Sequence, residues 1–302
     1  MSAKPIVVVG SSNMDLVIKT GRIPRPGETI LGGEFIMVAG GKGANQAVAA
    51  ARLGAEVYFV GRVGRDPFGE KMLENFRRDK IGTDYIVQDA GHASGVAIIV
   101  VDEAGENSIV VAPGANGALT PADVEAAEEV IAAADSVLLQ LEVPLKTVTC
   151  TAQLAARHGT RVILDPAPAQ PLPEDLLAAV SLITPNETEA EILTGIDGDD
   201  ESSARAQAAA IRAKGVSTVL VTRGALGSLL DDGSSVRSFP APEVKSADST
   251  AAGDCFNGAL AAGLAQGATL AEAIEFASRA AAFSTTRLGA QDSLPTKSDL
   301  QD

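Results

Sequence analysis

The sequence predicts an α/β fold of three layers: a mostly parallel central sheet with helices on both faces, carrying a small second β-sheet. Three observations carry this expectation. Short apolar runs bounded by Gly or Pro alternate with helix-periodic segments along most of the 302 residues, and such alternation implies parallel strands joined by crossover helices. Two stretches, "DLVIKT" with "TILGGEFIMV" and "GVAIIVVDEAGENSIVVA", break it by following strand with strand. The chain has a globular composition without internal repeats or low-complexity linkers, so residues 1–302 are read as one domain.

Taken in order, Ile6 to Val9 is the first strand. Strands of the small sheet are expected at about 15–20 and 29–38. "GANQAVAAARLG" reads as a helix stopped by Gly54, and "EVYFV" as the next strand. Asp66 and Pro67 form an N-cap and first helical residue, with Phe68, Met72, Leu73 and Phe76 on one helical face. The hairpin follows at about 96–101 and 106–112, turning at Glu103 to Gly105. Thr120 and Pro121 start another helix, with Val124, Ala127 and Ile131 as its stripe. "SVLLQLE" then Leu145 to Arg157, "RVILD" then Pro173 to Val180, "SLIT" then Asn186 to Leu193, and "TVLVT" after a helix ending near Lys214 complete the alternation. The four strands outside that pattern could close over a site or pair with a second subunit, either of which covers an apolar face.

Bulk charge excludes several functions. With 24 Lys+Arg against 39 Asp+Glu, the net charge of -15 argues against a nucleic-acid or anionic-membrane partner. A bound phosphate must then be held by local groups. Cys150 and Cys255 make neither a disulfide framework nor a zinc site, so a reducing cytoplasm is the default location. No stretch approaches the roughly 18 apolar residues of a membrane span. The only Gly-Lys pair, Gly41-Lys42, lacks the earlier glycine of a P-loop, and the first strand ends in "GSSNMD" rather than G-x-G-x-x-G. His92 and His158 are the only histidines. Catalysis therefore points to Asp, Glu or Lys.

"DSTAAGDCFNGAL" places Asp248 and Asp254 around a turn of small residues that opens a helix. Either it is a capped helix with an acid favouring the positive end of the dipole, or the amides of Ala251, Ala252 and Gly253 face a phosphate with Asp254 beside them as a base. In "GGKGANQAVAAARLGA", Lys42 and Asn45 either merely decorate a tight turn or, where the glycines permit close backbone approach to a ligand, offer groups that suit a polyol. Asn13 and Asp15 at the first strand's end are turn formers or, again, groups that grip vicinal hydroxyls. Glu142 ends a strand and could face the same ligand or solvent. Asn186 and Glu189 lie at i, i+3 after another strand, facing one side of a site or simply capping their helix. Thr222, Gly224 and Gly227 follow a strand as a loop for a nucleotide phosphate or simply as a loop.

No member of this set is specific, but the ordered set is. "GSSNMD", "PRPGETI", "GGKGANQAVAAARLGA", "VGRDPFG", "PNETEAE", "VTRGALG" and "DSTAAGDCFNGAL" occur in the order seen in the ribokinase-like carbohydrate kinase family, and the resemblance covers nearly the whole chain. "GGKGANQA" with "QLE" and "TRLGAQDS" resembles its ribose-phosphorylating members. The resemblance implies ATP-dependent phosphorylation of D-ribose at O5, with Asp254 as general base and the amides of Ala251, Ala252, Gly253 and Asp254 as an anion hole. It implies that Asn13, Asp15, Gly41, Lys42, Asn45, Glu142 and Asp254 hold the sugar. Asn186, Thr222, Arg223, Gly224, Ala225, Leu226, Gly227, Gly253 and Ser278 would line the nucleotide site. Asn186 and Glu189 would organise Mg²⁺ through waters. Asp248, Thr250, Ser284, Arg287, Gly289 and Ser293 would hold an activating K⁺, several through carbonyls. A homodimer through the small sheet is expected. Two departures stand out: Ala251 where many relatives carry glycine, and Cys255 where a hydroxyl residue is common.

Overall fold

The computed structural model describes residues 3–301. Its strands and helices alternate as β1 (Ile6–Val9), β2 (Asn13–Lys19), β3 (Phe35–Gly40), α1 (Lys42–Arg52), β4 (Val57–Gly64), α2 (Pro67–Arg78), β5 (Gly82–Asp89), β6 (Gly95–Val101), β7 (Asn107–Ala112), α3 (Pro121–Glu125), α4 (Glu128–Ala133) and β8 (Ser136–Leu139). There follow α5 (Leu145–Arg157), β9 (Arg161–Leu164), α6 (Glu174–Leu177), β10 (Leu182–Ile183), α7 (Glu187–Thr194), α8 (Glu201–Ala213), β11 (Thr218–Thr222), β12 (Ser228–Asp231), β13 (Val236–Phe239), α9 (Ala252–Ala265) and α10 (Leu270–Thr285).

The large sheet has nine strands in the order β13-β12-β11-β10-β9-β8-β1-β4-β5. From β5 across to β11 neighbours run parallel, while β12 and β13 turn back antiparallel. Because side chains alternate along a strand, each central strand feeds two cores. Ile6 and Val8 pack with α1, α9 and α10, whereas Val7 and Val9 pack with α3, α4, α5 and α8. All four are fully buried, which is why the first strand reads as an unbroken apolar run.

The small sheet has the order β3-β2-β6-β7. It is inserted in two places, the β2–β3 hairpin between β1 and α1 and the β6–β7 hairpin between β5 and α3. Asp15 pairs across it with Val38 and Ala97, and Ala97 with Val111, while Leu16 pairs with Met37 and Ile98, and Ile98 with Val110. The two rows take opposite faces. Met37, Ile98 and Val110 are exposed, Val110 by 66 %.

Several elements differ from the sequence reading. The second strand of the small sheet lies at Phe35–Gly40 rather than 29–38, since the Gly32–Gly33 pair interrupts the run begun by Thr29, Ile30 and Leu31. The helix begun at Pro121 breaks between Glu125 and Glu128, yet Val124, Ala127 and Ile131 all stay fully buried. Packing of the stripe, not helix continuity, is what that segment satisfies. The expected helix from Pro173 to Val180 is a single turn, Glu174–Leu177. Strands β5 and β13 lie at the sheet edges and β12 just inside β13, none of them expected from the sequence; the alternation of buried and exposed positions is weak in β5.

Candidate active site

The parallel strands β1, β8 and β9 end beside the small sheet and the start of α9. At that junction lies an open cavity of about 500 Å³ lined by Asn13, Asn116, Val111 and Glu142 among others. Ligand sites in open α/β sheets lie beyond the carboxyl ends of strands.

The β2–β3 hairpin enters at Asn13 and leaves at Gly40, so it delivers Asn13, Asp15 and Lys42 to one place. Gly41 links hairpin to helix with a φ of 89°, and a Cβ there would lie 2.8 Å from the Asn13 nitrogen. Only glycine fits that backbone. Asn116 donates to Asn13 Oδ1 at 2.7 Å and is itself held by the Ser12 backbone. Asn13 is thereby oriented with its own amide nitrogen left to donate.

Glu142 follows β8 and accepts from Ser11 Oγ at 2.5 Å and from the Lys42 backbone N–H at 3.0 Å. Asp254, in the first turn of α9, is only 5 % exposed. It accepts from Asn45 Nδ2 at 2.8 Å and from Gln46 Nε2 at 3.2 Å. Gln46 also donates to Asp165 at 2.8 Å, and Gln140 donates to Gln46 Oε1 at 2.6 Å.

The result is an acidic cleft with one embedded cation. Burial raises the Asp254 carboxyl above the usual range, against the pull of Lys42 and the two amide donors. Burial likewise pushes Asp165 well up, again opposed by Lys42. Asp15 is raised to about 6, by burial first and then by Glu142 and Asp254. Burial alone would lower Lys42, but Asp254, Asp165, Glu142 and Glu189 together keep its ammonium firmly protonated.

Ala251 caps α9 in the left-handed conformation, φ 60°, with no side-chain cap bond. The Ala252 N–H turns to Ser249 O at 3.2 Å. The Gly253 and Asp254 N–H groups meet no acceptor among the described residues, and a Cβ on Gly253 would meet nothing within 4 Å. Free amides at the positive end of a 14-residue helix are the groups that could receive an anion.

The residues expected at the nucleotide are held differently. Asn186 caps α7 and shares a capping box with Glu189, at 2.8 and 2.9 Å. Thr222 bridges to Asn186, and Gly224–Leu226 forms a tight turn ending at Gly227, φ 90°. Arg223 is 8 % exposed and donates to Asp199 O at 2.8 Å, with Glu187 at 3.5 Å. Ala225 lies within that turn and Leu226 is exposed, while Ser278 is half-buried on α10.

Asp248 ties two loops together, accepting from Thr250 N and Oγ1 at 2.9 and 2.6 Å and from Gly289 N at 2.9 Å. Ser284 and Ser293 hydroxyls donate to nearby carbonyls, and Arg287 pairs with Asp299. Among the described residues no three His, Cys, Asp or Glu side chains form a metal cluster; a divalent ion would be held by substrate phosphates and water beside Asn186 and Glu189.

Ser11, Gln46, Asn116, Gln140 and Asp165 escaped the sequence reading as site residues. Gln46 and Gln140 sit inside the quoted "GGKGANQA" and "QLE" runs, so the signal was there without a partner to give it meaning.

The chain matches the description "pfkB family carbohydrate kinase" over residues 3–297. It is 45 % identical to a ribokinase of Haemophilus influenzae, covering 98 % of this chain and 97 % of that one. It is 42 % identical to a ribokinase of Bacillus subtilis, covering 98 % of each. A structure of Arabidopsis thaliana ribokinase complexed with ribose and ATP superposes with a TM-score of 0.94 at 34 % identity, over 99 % of this chain and 97 % of that one. The chain belongs to the pfkB family of carbohydrate kinases.

Proposed function

We propose that this protein transfers a phosphoryl group from ATP to the O5 hydroxyl of D-ribose, giving D-ribose 5-phosphate and ADP. The observation that carries the reading is the position of Asp254: a buried carboxylate in the same first turn as two unpaired amides, facing a cleft of sugar-gripping groups. The ribokinase relatives, at 42 to 45 % identity, support the sugar.

The chemistry follows from that arrangement. Asn13, Asp15, Gly41, Lys42, Asn45 and Glu142 hold the sugar hydroxyls, Asp15 and Glu142 as acceptors and Lys42 as a donor. Asp254 takes the proton of the attacking hydroxyl as it reacts. The Gly253 and Asp254 amides, with that of Ala251 in the same turn, face the charge that develops on the transferring group, whereas the Ala252 N–H expected beside them is held by Ser249 O. The loop Thr222–Gly227 and Ser278 line the nucleotide, and Asn186 and Glu189 order the water around Mg²⁺. Mg²⁺ neutralises phosphate charge when bound. The Asp248 loop, with Thr250, Ser284, Arg287, Gly289 and Ser293, holds K⁺ and thereby steadies the turn that carries the amides; exchanging KCl for NaCl at constant ionic strength reads this, and equal rates would refute it.

The small sheet covers the sugar with its Asp15 face and meets a second copy of the chain with the row Met37, Leu16, Ile98 and Val110. An exposed apolar row spanning four strands needs a cover, and sedimentation at micromolar concentration reads the dimer directly. No helix among the described residues is long and apolar enough to cross a membrane, and action on cytoplasmic ATP and sugar is the proposed setting.

A panel of sugars and nucleosides tests the substrate. ADP release is expected to be fastest per unit kcat/KM with ribose, and 5-deoxyribose should bind without turnover because only the nucleophile is missing. A higher kcat/KM for fructose or adenosine would overturn the assignment in favour of another substrate. Ribose binding without ADP release would leave a sugar-binding protein.

A further inference from the structure

Gln46 and Gln140 are both fully buried, with no exposed surface, and neither reaches the cavity as a lining residue. Their amides are nevertheless chained. Gln140 Nε2 donates to Gln46 Oε1 at 2.6 Å, and Gln46 Nε2 donates onward to Asp165 Oδ2 at 2.8 Å and Asp254 Oδ1 at 3.2 Å. The direction of this chain is imposed from its far end. Asp254, ionised when it serves as a base, accepts and cannot donate, so the group facing it must be the Gln46 nitrogen, whose second N–H serves Asp165. That leaves Gln46 Oε1 pointing back, where it needs a donor. Gln140 supplies one, and its own oxygen is left without a partner, against the Cα of Gly10 where a Cβ would lie only 2.1 Å away. Turning the Gln140 amide over would put two oxygens in contact; turning both would face an oxygen to two acids. Only one polarity is consistent, and it leaves a buried polar atom unpaired, at a cost.

We infer that Gln46, oriented by Gln140, is a positioning residue that clamps Asp254 between two amide donors and anchors it to Asp165 at the end of β9. The inference rests on Asp254 being the base. Asn45 takes the Oδ2 atom and Gln46 the Oδ1 atom, so rotation of the carboxylate about its Cβ–Cγ bond breaks one bond or both. The clamp joins α1, α9 and the end of β9 across separations of 208 and 119 residues. The charged and titratable groups facing Asp254 are Lys42 at the start of α1, Asp15 on β2, Glu142 after β8, Asp165 after β9 and the neighbouring thiol Cys255, with Glu189 on α7 acting on Lys42 and Asp165. Gln46 is the uncharged member that reaches two of them at once.

Four variants of the full chain test this: Gln46→Met, Gln140→Met, the double variant, and Asp254→Asn as reference. Gln46→Met keeps size and removes the donor. Its kcat should fall about tenfold to a hundredfold, the scale of one hydrogen bond to a charged group, with the KM for ribose within about threefold. The acid limb of kcat, measured at saturating ribose and ATP, should move up by about one pH unit, because losing a donor to the ionised form favours protonation. Gln140→Met should show a smaller fall and a smaller move in the same direction. The double variant should be no worse than Gln46→Met, since Gln140 acts only through Gln46. Unchanged kcat and limb in Gln46→Met, or losses that multiply in the double variant, would overturn the inference. A parallel loss of ribose affinity, read by calorimetric titration, would also overturn it by showing general damage to the cleft. Asp254→Asn keeps the two readings apart: if it retains near-normal turnover, the base assignment fails; if it collapses while Gln46→Met does not, only the clamp fails.

Discussion

The two halves of the cleft are built in different ways. On the proposed sugar side, Asp254 is joined to Asn45 and Gln46, and Glu142 to Ser11 and Lys42, by bonds spanning 100 to 209 residues. On the proposed nucleotide side, Asn186 and Glu189 satisfy each other within one helical turn, and Gly224–Leu226 closes on itself. The sugar half therefore exists only when the whole fold does, and it crowds four acids around one lysine. The nucleotide half could form from its own segments. Rigidity and electrostatic stress belong to one side, local economy to the other.

Three variants sharpen or break that contrast. The largest effect is expected from Asp254→Asn, which keeps shape and removes the base: kcat should fall by about 10²- to 10⁴-fold while ribose affinity, measured by titration, changes little. A matching fall in affinity would mean that the sugar half is held together by Asp254 rather than merely completed by it.

Asp15→Asn reads the stress itself. Asp15 is raised from its ordinary 3.8 to about 6 in the folded protein, so the native state binds its proton more tightly than the unfolded chain does. Its ionisation thus weakens the fold as pH rises from about 4 through 6, and the full penalty applies above that. Asp15→Asn should stabilise the protein by up to about 3 kcal/mol at pH 7.5, with the gain shrinking as pH falls below 6 in urea unfolding curves. The same variant should weaken ribose binding. In the wild type, ribose KM should rise below about pH 6 as Asp15 loses its charge. No stability gain at pH 7.5 would show that the crowd of acids is well solvated and the contrast between the halves false.

The smallest effect belongs to Asn186→Ala. Losing one N-cap costs about 1 kcal/mol of stability, and the KM for ATP should rise while ribose affinity stays put. If ribose affinity fell as well, the nucleotide half would not be locally built.

This difference also explains what could be read in advance. Asn186 with Glu189, Asp66 with Pro67, and the small-residue turn before Asp254 are local patterns, legible because a cap and its partner lie within a few residues. The alternation of β1, β8 and β9 with their helices was legible for the same reason. Asp165 was visible only as the last letter of a strand, and nothing near it in the chain says that its partner is Gln46, 119 residues away. Gln140 could equally have been a solvent-facing amide. The edge strands β5 and β13 lack the continuous apolar run of a central strand, so their pairing had no signature. The left-handed backbone at Ala251, φ 60°, was hidden because a non-glycine residue there disguises the turn it makes.

The place where the β2–β3 hairpin is inserted has a consequence for how such proteins can diverge. It begins at Asn13, just after β1, and ends at Gly40, passing through Gly41 into α1 at Lys42, so its two splice points are themselves proposed sugar contacts. A cover attached by neutral linkers could be exchanged between relatives like a cassette, keeping the sugar site beneath it. This one cannot. Any recombination that trades the hairpin also trades Asn13, Asp15 and the approach to Lys42, and a new cover arrives with a new set of hydroxyl contacts already attached.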